Sequence, residues 1–202
     1  MKILLTGFEP FGEEKRNPSW EVLKLLPDKI IEADLVKYCI PVEYQKCGDI
    51  LKEILRKENP DAVICLGQAG GRVKITPEFI AVNAMDAAGA DNAGVQYAGE
   101  RISADGPVAY ESTLPVRKMV QIMNDAQIPA GLSYTAGAYV CNNLMYRLLH
   151  EVHEKKLNIP AGFIHIPYDE QQASAGGAKP FMPLAMMAEG IRICVEQTIE
   201  AV

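Results

Sequence analysis

The chain has 202 residues, 49% hydrophobic and 23% charged, a mix that fits one well-filled globular core and excludes disordered and fibrous classes. A formal charge of −6, a pI near 5.2 and the lack of a basic cluster argue against a nucleic-acid surface. No apolar run reaches membrane-spanning length, and Met1-Lys2-Ile3-Leu4-Leu5-Thr6-Gly7 turns polar too early for a signal peptide, so one cytoplasmic domain over residues 1–202, without a membrane partner, is expected.

Lys2 to Gly7 is a short apolar run ending at glycine, as in the buried first strand of an α/β protein. Phe8-Glu9-Pro10-Phe11-Gly12 must then be a loop, whose two rings either wall a pocket or cap the core. Asn17-Pro18 opens a helix through Leu26, with asparagine as N-cap, proline at the first position and Trp20, Leu23 and Leu26 facing inward. Asp34 to Val42 reads as a strand, Tyr44 to Asn59 as a charged helix ended by proline, and Asp61 to Gly67 as another apolar strand ending at glycine. Strand, helix, strand is thus written twice, which predicts a mainly parallel sheet in an α/β fold. Ligands of such sheets gather beyond the carboxyl ends of the strands, where Phe8, Phe11 and Gln68 fall.

Gln68-Ala69-Gly70-Gly71-Arg72 superficially suggests a phosphate loop but lacks both G-x-G-x-x-G and G-K-[ST], so a nucleotide is not expected. Ile75 to Met85 is strand-like with Glu78 near its start, a carboxylate that is solvated by default. Asp86 to Pro107 has no strong period and reads as a long surface excursion, either a lid or an oligomer contact. Ser112 to Asp125 resumes a helical pattern, Gly131 to Tyr134 and Ile159 to Ile166 read as strands, Gln171 to Lys179 as a mobile loop, and Pro183 to Glu200 as the last helix.

Between the last strands, Ser133-Tyr134-Thr135-Ala136-Gly137-Ala138-Tyr139-Val140-Cys141-Asn142-Asn143 delivers one cysteine to the start of a helix with Leu144, Met145, Leu148, Leu149 and Val152 inward. Unpaired N–H groups there favour a thiolate at Cys141 and can hold an oxyanion beside it; the plain alternative is a small buried apolar residue. The five cysteines, Cys39, Cys47, Cys65, Cys141 and Cys194, are scattered without C-x-x-C spacing, which predicts reduced thiols and no zinc site. His165 lies inside an apolar strand and needs a partner there, whether in chemistry or in the core. His150 and His153 share a charged helix, nothing completes a ligand set around them, and solvent exposure is expected for both.

GFEPFG at Gly7 to Gly12, GQAGGRVKITPEFIAVN at Gly67 to Asn83, SYTAGAYVCNNLMY at Ser133 to Tyr146 and FIHIPY at Phe163 to Tyr168 together resemble the pyroglutamyl peptidase I family of cysteine peptidases over nearly the whole chain. The resemblance implies a three-layer α/β/α sandwich, a nucleophile at Cys141, a general base at His165 and an orienting carboxylate at Glu78. It also implies a lactam pocket lined by Phe8, Phe11 and Gln68, no metal or other cofactor, pyroglutamyl peptides as substrates, and a homotetramer with methionine-bearing helices among its contact surfaces. Two positions depart from the family pattern. Phe79 follows Glu78 where Arg or Lys is usual, and Asp86-Ala87-Ala88-Gly89 stands where Asp-Ala-Arg-Ile is common. Loss of those cations implies a second reading, a weakened member that binds lactam-capped peptides without efficient turnover.

Overall fold

The computed structural model describes residues 1–175 and 179–202. The chain runs through β1 (Lys2–Phe8), α1 (Pro18–Leu25), β2 (Lys29–Ile30), β3 (Ala33–Ile40), α2 (Tyr44–Glu58) and β4 (Ala62–Gln68). Five short strands follow: β5 (Thr76–Glu78), β6 (Ile80–Val82), β7 (Met85–Asp86), β8 (Ala98–Glu100) and β9 (Ala109–Glu111). The remaining elements are α3 (Val116–Asp125), α4 (Val140–Glu154), β10 (Ala161–Ile166), α5 (Glu170–Ala175) and α6 (Leu184–Ile199).

Local chemistry sets the first boundaries. Asn17 Oδ1 accepts the Ser19 N–H at 3.1 Å while Pro18 takes the first helical position, an N-cap that satisfies one of the unpaired donors. At the far end of α2, Asn59 turns left-handed (φ 44°) and its N–H closes on Leu55 O, after which Pro60 bars continuation.

The main sheet has the order β2-β3-β1-β4-β10-β5. β3, β1, β4 and β10 are parallel, and β2 and β5 pair antiparallel at the two edges. Strand alternation divides the core in two. Ile3, Leu5, Ile64, Leu66, Ile164 and Ile166 pack on one face with side chains of α1, α3 and α6. Leu4, Val63, Cys65 and Phe163 pack on the other with α2 and α4. This is the expected three-layer α/β/α sandwich.

Several expected segments take other forms. Ile75 to Met85 is broken into three strands, because Phe79 N donates to Ser133 O and the chain then turns to pair Ile80 with Glu111. Gly131 to Tyr134 is not a full strand but part of an extended run joined to β5 by parallel bridges Ile75–Ala130 and Glu78–Ser133. Helix α3 starts only at Val116, after Pro115, which disfavours helical backbone at Leu114, and the N–H groups of Ser112 and Thr113 go to Phe79 O and Ala161 O. The Asp86 to Pro107 excursion contains the β7–β8 pairing, and buried Asp91 fastens it by accepting the N–H groups of Tyr44, Ala93 and Val95. Within Gln171 to Lys179, the residues through Ala175 belong to α5 instead of a loop, and 176–178 lie outside the described residues. His153 is exposed, whereas His150 is half-buried and meets Tyr110 Oη at 2.8 Å through Nδ1. Met119, Met123 and Met187 are buried on the apolar sides of α3 and α6. Among the described residues no helix is long and apolar enough to cross a membrane.

Two adjacent asparagines set the position of α4. Asn142 accepts Val82 N–H at 2.9 Å and donates to Val82 O and Ala84 O, and Asn143 donates to Tyr44 O at 2.6 Å. They tie the helix to β6 and to the start of α2. Asn142→Ala leaves backbone groups of Val82 unpaired and is expected to cost about 2 kcal/mol, a Tm fall of about 4–8 °C for a chain of this size, measured by thermal melting.

Candidate active site

Glu78 ends β5 and His165 lies near the end of β10, on neighbouring strands whose antiparallel register sets Glu78 opposite Phe163 and His165 opposite Thr76. The two side chains meet across the sheet, with His165 Nδ1 2.7 Å from Glu78 Oε1; Glu78 is fully buried and His165 is 4% exposed. The carboxylate can only accept, so Nδ1 carries the proton and Nε2 is left as a base. Arg72, from the loop after β4, donates through Nη1 to the same Oε1 at 2.7 Å and through Nη2 to Thr135 O. Burial opposes the charge on Glu78, but the bond and charge of His165, with the Arg72 guanidinium, hold its carboxyl below the usual range. His165 is held below the ordinary histidine value, by burial first and by the Arg72 charge as well, against the pull of Glu78. Glu78 is therefore ionised and His165 neutral at neutral pH.

Cys141 is the second residue of α4. Its sulfur lies against β4 at Gly67, the register partner of His165: a Cβ built on Gly67 would come 3.0 Å from Sγ and 2.6 Å from Phe163 Cζ. Glycine is needed because any side chain here would displace the sulfur or the ring. Tyr139, the N-cap of α4, makes no side-chain cap bond, so the first backbone N–H groups of the helix have no side-chain acceptor from the cap. The expected resting thiolate does not follow from this structure. Burial, reinforced by the Cys47 thiol and the Glu78 charge, pushes the Cys141 thiol up to about 12, and Arg72 offsets only part of that.

Beside the sulfur is a tight cleft of about 30 Å³, lined by Phe8, Phe11, Asn17, Val42, Gln68, Tyr139 and Cys141. That is far below the range of ligand sites, and a ring enters only as the walls part. The rings of Phe11 and Tyr139 lie 6.4 Å apart, as do those of Phe8 and Phe163. Phe8, Phe11 and Gln68 thus share one cleft with Cys141, and Glu78 and His165 share one hydrogen bond.

A family model described as pyroglutamyl peptidase matches residues 1–201. The chain belongs to the pyroglutamyl peptidase family. It is 44% identical to a pyrrolidone-carboxylate peptidase of Thermococcus kodakarensis over 99% of this chain and 97% of that one, and 48% identical to one of Thermosipho africanus over 95% and 93%. The crystal structure of pyroglutamyl peptidase I from Bacillus amyloliquefaciens superposes with a TM-score of 0.94 at 42% identity, covering 98% of this chain and 94% of that one. A mutant pyrrolidone carboxyl peptidase from Pyrococcus furiosus gives 0.96 at 38% identity with full coverage of both. Membership in the pyroglutamyl peptidase family supports a cysteine-type omega peptidase, and nothing in these similarities favours a silent binder.

The two neutral departures from the family pattern sit differently. Phe79 packs against the core on the α1, α3 and α6 face, with its ring edge-on to Tyr134 at 5.6 Å and Arg117 over it at 5.5 Å, whereas His165 and Cys141 lie on the α4 side. A cation at 79 would leave on the side of Tyr134 and Arg117. Ala88 is exposed, and nothing in the structure explains its identity. Arg72 is the cation that reaches Glu78, and sequence reasoning assigned it no role, although it ends the glycine-rich loop at the carboxyl end of β4. Asn17, Val42 and Tyr139 were likewise not expected in the cleft.

Gly67→Ala is expected to lower kcat/KM about 10²-fold by shifting Cys141 or Phe163, with an unchanged far-ultraviolet spectrum. Arg72→Gln removes a charge that disfavours imidazolium, so His165 protonates more readily and the acid limb of the kcat/KM profile moves to higher pH by roughly half a unit or more. A limb that stays in place or moves down contradicts this role for Arg72.

Proposed function

We propose that the chain removes amino-terminal pyroglutamate from peptides by covalent catalysis, with Cys141 as nucleophile, His165 as general base and then acid, and Glu78 as the carboxylate that orients it. The ring of the substrate enters the cleft of Phe8, Phe11 and Gln68, which brings the scissile carbonyl over Sγ. His165 Nε2 takes the Cys141 proton as the sulfur attacks, so the charge-separated pair forms in the reaction instead of preceding it. The oxyanion is met by N–H groups at the uncapped start of α4. Glu78 stabilises the imidazolium, which then protonates the leaving amine and frees the shortened peptide. Water, deprotonated by His165, cleaves the thioacyl enzyme and regenerates the thiol with release of pyroglutamate.

The observation that carries this reading is the buried Glu78–His165 bond at 2.7 Å on a sheet where the adjacent strand supports Cys141 Sγ at Gly67. A neutral lactam also fits a cleft whose walls are aromatic rings and amides. Five free cysteines fit a reducing cytoplasm. Exposed Val108 and Leu157, with relative accessibilities of 78% and 39%, offer apolar surface to the homotetramer that the family resemblance implies, and light scattering is expected to give a mass above that of one chain.

Incubation with a pyroglutamyl fluorogenic amide is the test. Cys141→Ala is expected to reduce turnover at least about 10³-fold, and Glu78→Gln by about 10²–10⁴-fold because the imidazole loses its fixed tautomer. Turnover unaffected by Cys141→Ala rejects the nucleophile.

A further inference from the structure

Behind the cleft lies a group of buried polar side chains that the proposed chemistry does not use. Gln172 on α5 is 2% exposed. Its Oε1 accepts the backbone N–H of Asp169 at 3.3 Å, and its own N–H donates to Asp169 Oδ1 at 2.9 Å. Asp169 is fully buried, and its Oδ2 lies 2.8 Å from Arg16 Nε. A backbone N–H cannot accept, so the oxygen end of the Gln172 amide is fixed and the NH₂ end points away from Asp169. That end donates to Gln68 Oε1 at 2.8 Å and to Arg16 O at 3.4 Å.

The consequence passes on to Gln68. With Oε1 committed to Gln172, the group left at the cleft is the Gln68 NH₂, for which no acceptor stands among the described residues. Asn17, the other amide lining the cleft, is fixed in the same sense. Its Oδ1 accepts from Ser19 N and Ser19 Oγ, the Ser19 hydroxyl accepts Phe8 N–H, and Asn17 Nδ2 donates to Glu9 O with a second hydrogen to spare. Both side-chain amides of the cleft therefore offer donors and no acceptor.

We propose that Gln172 is a positioning residue for substrate selection: it fixes which end of the Gln68 amide faces the cleft, so that the pocket takes a five-membered ring bearing a carbonyl. The inference rests on the reading that Phe8, Phe11 and Gln68 hold the substrate ring. A ring without that carbonyl, such as proline, leaves buried donors unpaired, the kind of mismatch that polar sites reject most strongly. Without Gln172 the Gln68 amide is free to turn its oxygen toward the lactam carbonyl, which repels it.

A double-mutant cycle on the full chain tests this. Gln172→Met, which keeps the volume, is expected to lower kcat/KM for a pyroglutamyl fluorogenic amide by about 10–10²-fold, mainly through KM. In a Gln68→Met background the same change is expected to alter kcat/KM less than about twofold. The rate of Cys141 alkylation by iodoacetamide should stay within about threefold of the unmodified protein. If Gln172→Met does not fold, Gln172→Glu serves in the same cycle and sets a carboxylate against Gln68 Oε1, with the larger loss expected. An equal loss in both backgrounds, or no loss in the first, overturns the role given to Gln172. Failure of the unmodified protein to cleave the amide, or cleavage by Cys141→Ala, counts instead against the site reading on which the inference rests.

Discussion

The buried bond from His165 Nδ1 to Glu78 Oε1 is the interaction on which the rest of the site depends. A carboxylate with no exposure must be matched or it will take up a proton, and here one oxygen receives both the imidazole and the Arg72 guanidinium. That arrangement keeps Glu78 ionised, fixes the tautomer of His165 and leaves Nε2 as the free base. It also sets the resting state. In the proposed reaction a neutral imidazole and a neutral thiol require proton transfer to accompany attack, whereas a thiolate held in advance would have to survive in a site that disfavours it.

Sheet geometry does the remaining positioning. The alternation that sends Ile164 and Ile166 to one core sends Phe163 and His165 to the other, toward α4. Parallel pairing then puts His165 level with Gly67, the position with room for the sulfur. The extended run through Ser133 is bridged to Glu78 before the chain turns into α4, so the carboxylate and the helix that carries Cys141 are joined within a few residues of backbone. Asn142 and Asn143 hold that helix from two sides.

What could be read in the sequence was what local chemistry decides. The boundaries of α1 and α2 follow from Asn17-Pro18 and Asn59-Pro60, and the apolar runs ending at Gly7 and Gly67 mark strands whose carboxyl ends meet the cleft. The less legible parts depend on distant partners. Nothing near Glu78 says that Phe79 N will bond to Ser133 O and divide the strand, and nothing in Gly70-Gly71-Arg72 says that the guanidinium will reach six residues ahead. Gln172 is silent for the same reason, since its effect exists only through Asp169 and Gln68. The thiolate expectation is opposed by desolvation: the start of a helix is one contribution to the Cys141 proton affinity, and removal of the half-buried sulfur from water is a larger one.

The central claim, a protonated Cys141 and a neutral His165 in the resting protein, is tested most directly by ultraviolet titration of thiolate absorbance, comparing the unmodified chain with Cys141→Ser. Burial pushes up Cys39, Cys47, Cys65 and Cys194 as well, so none of them obscures the difference near neutral pH. The account predicts no thiolate difference at neutral pH, with a band appearing only as the solution becomes strongly alkaline. A thiolate band at neutral pH that vanishes in Cys141→Ser would contradict it and establish a preformed ion pair.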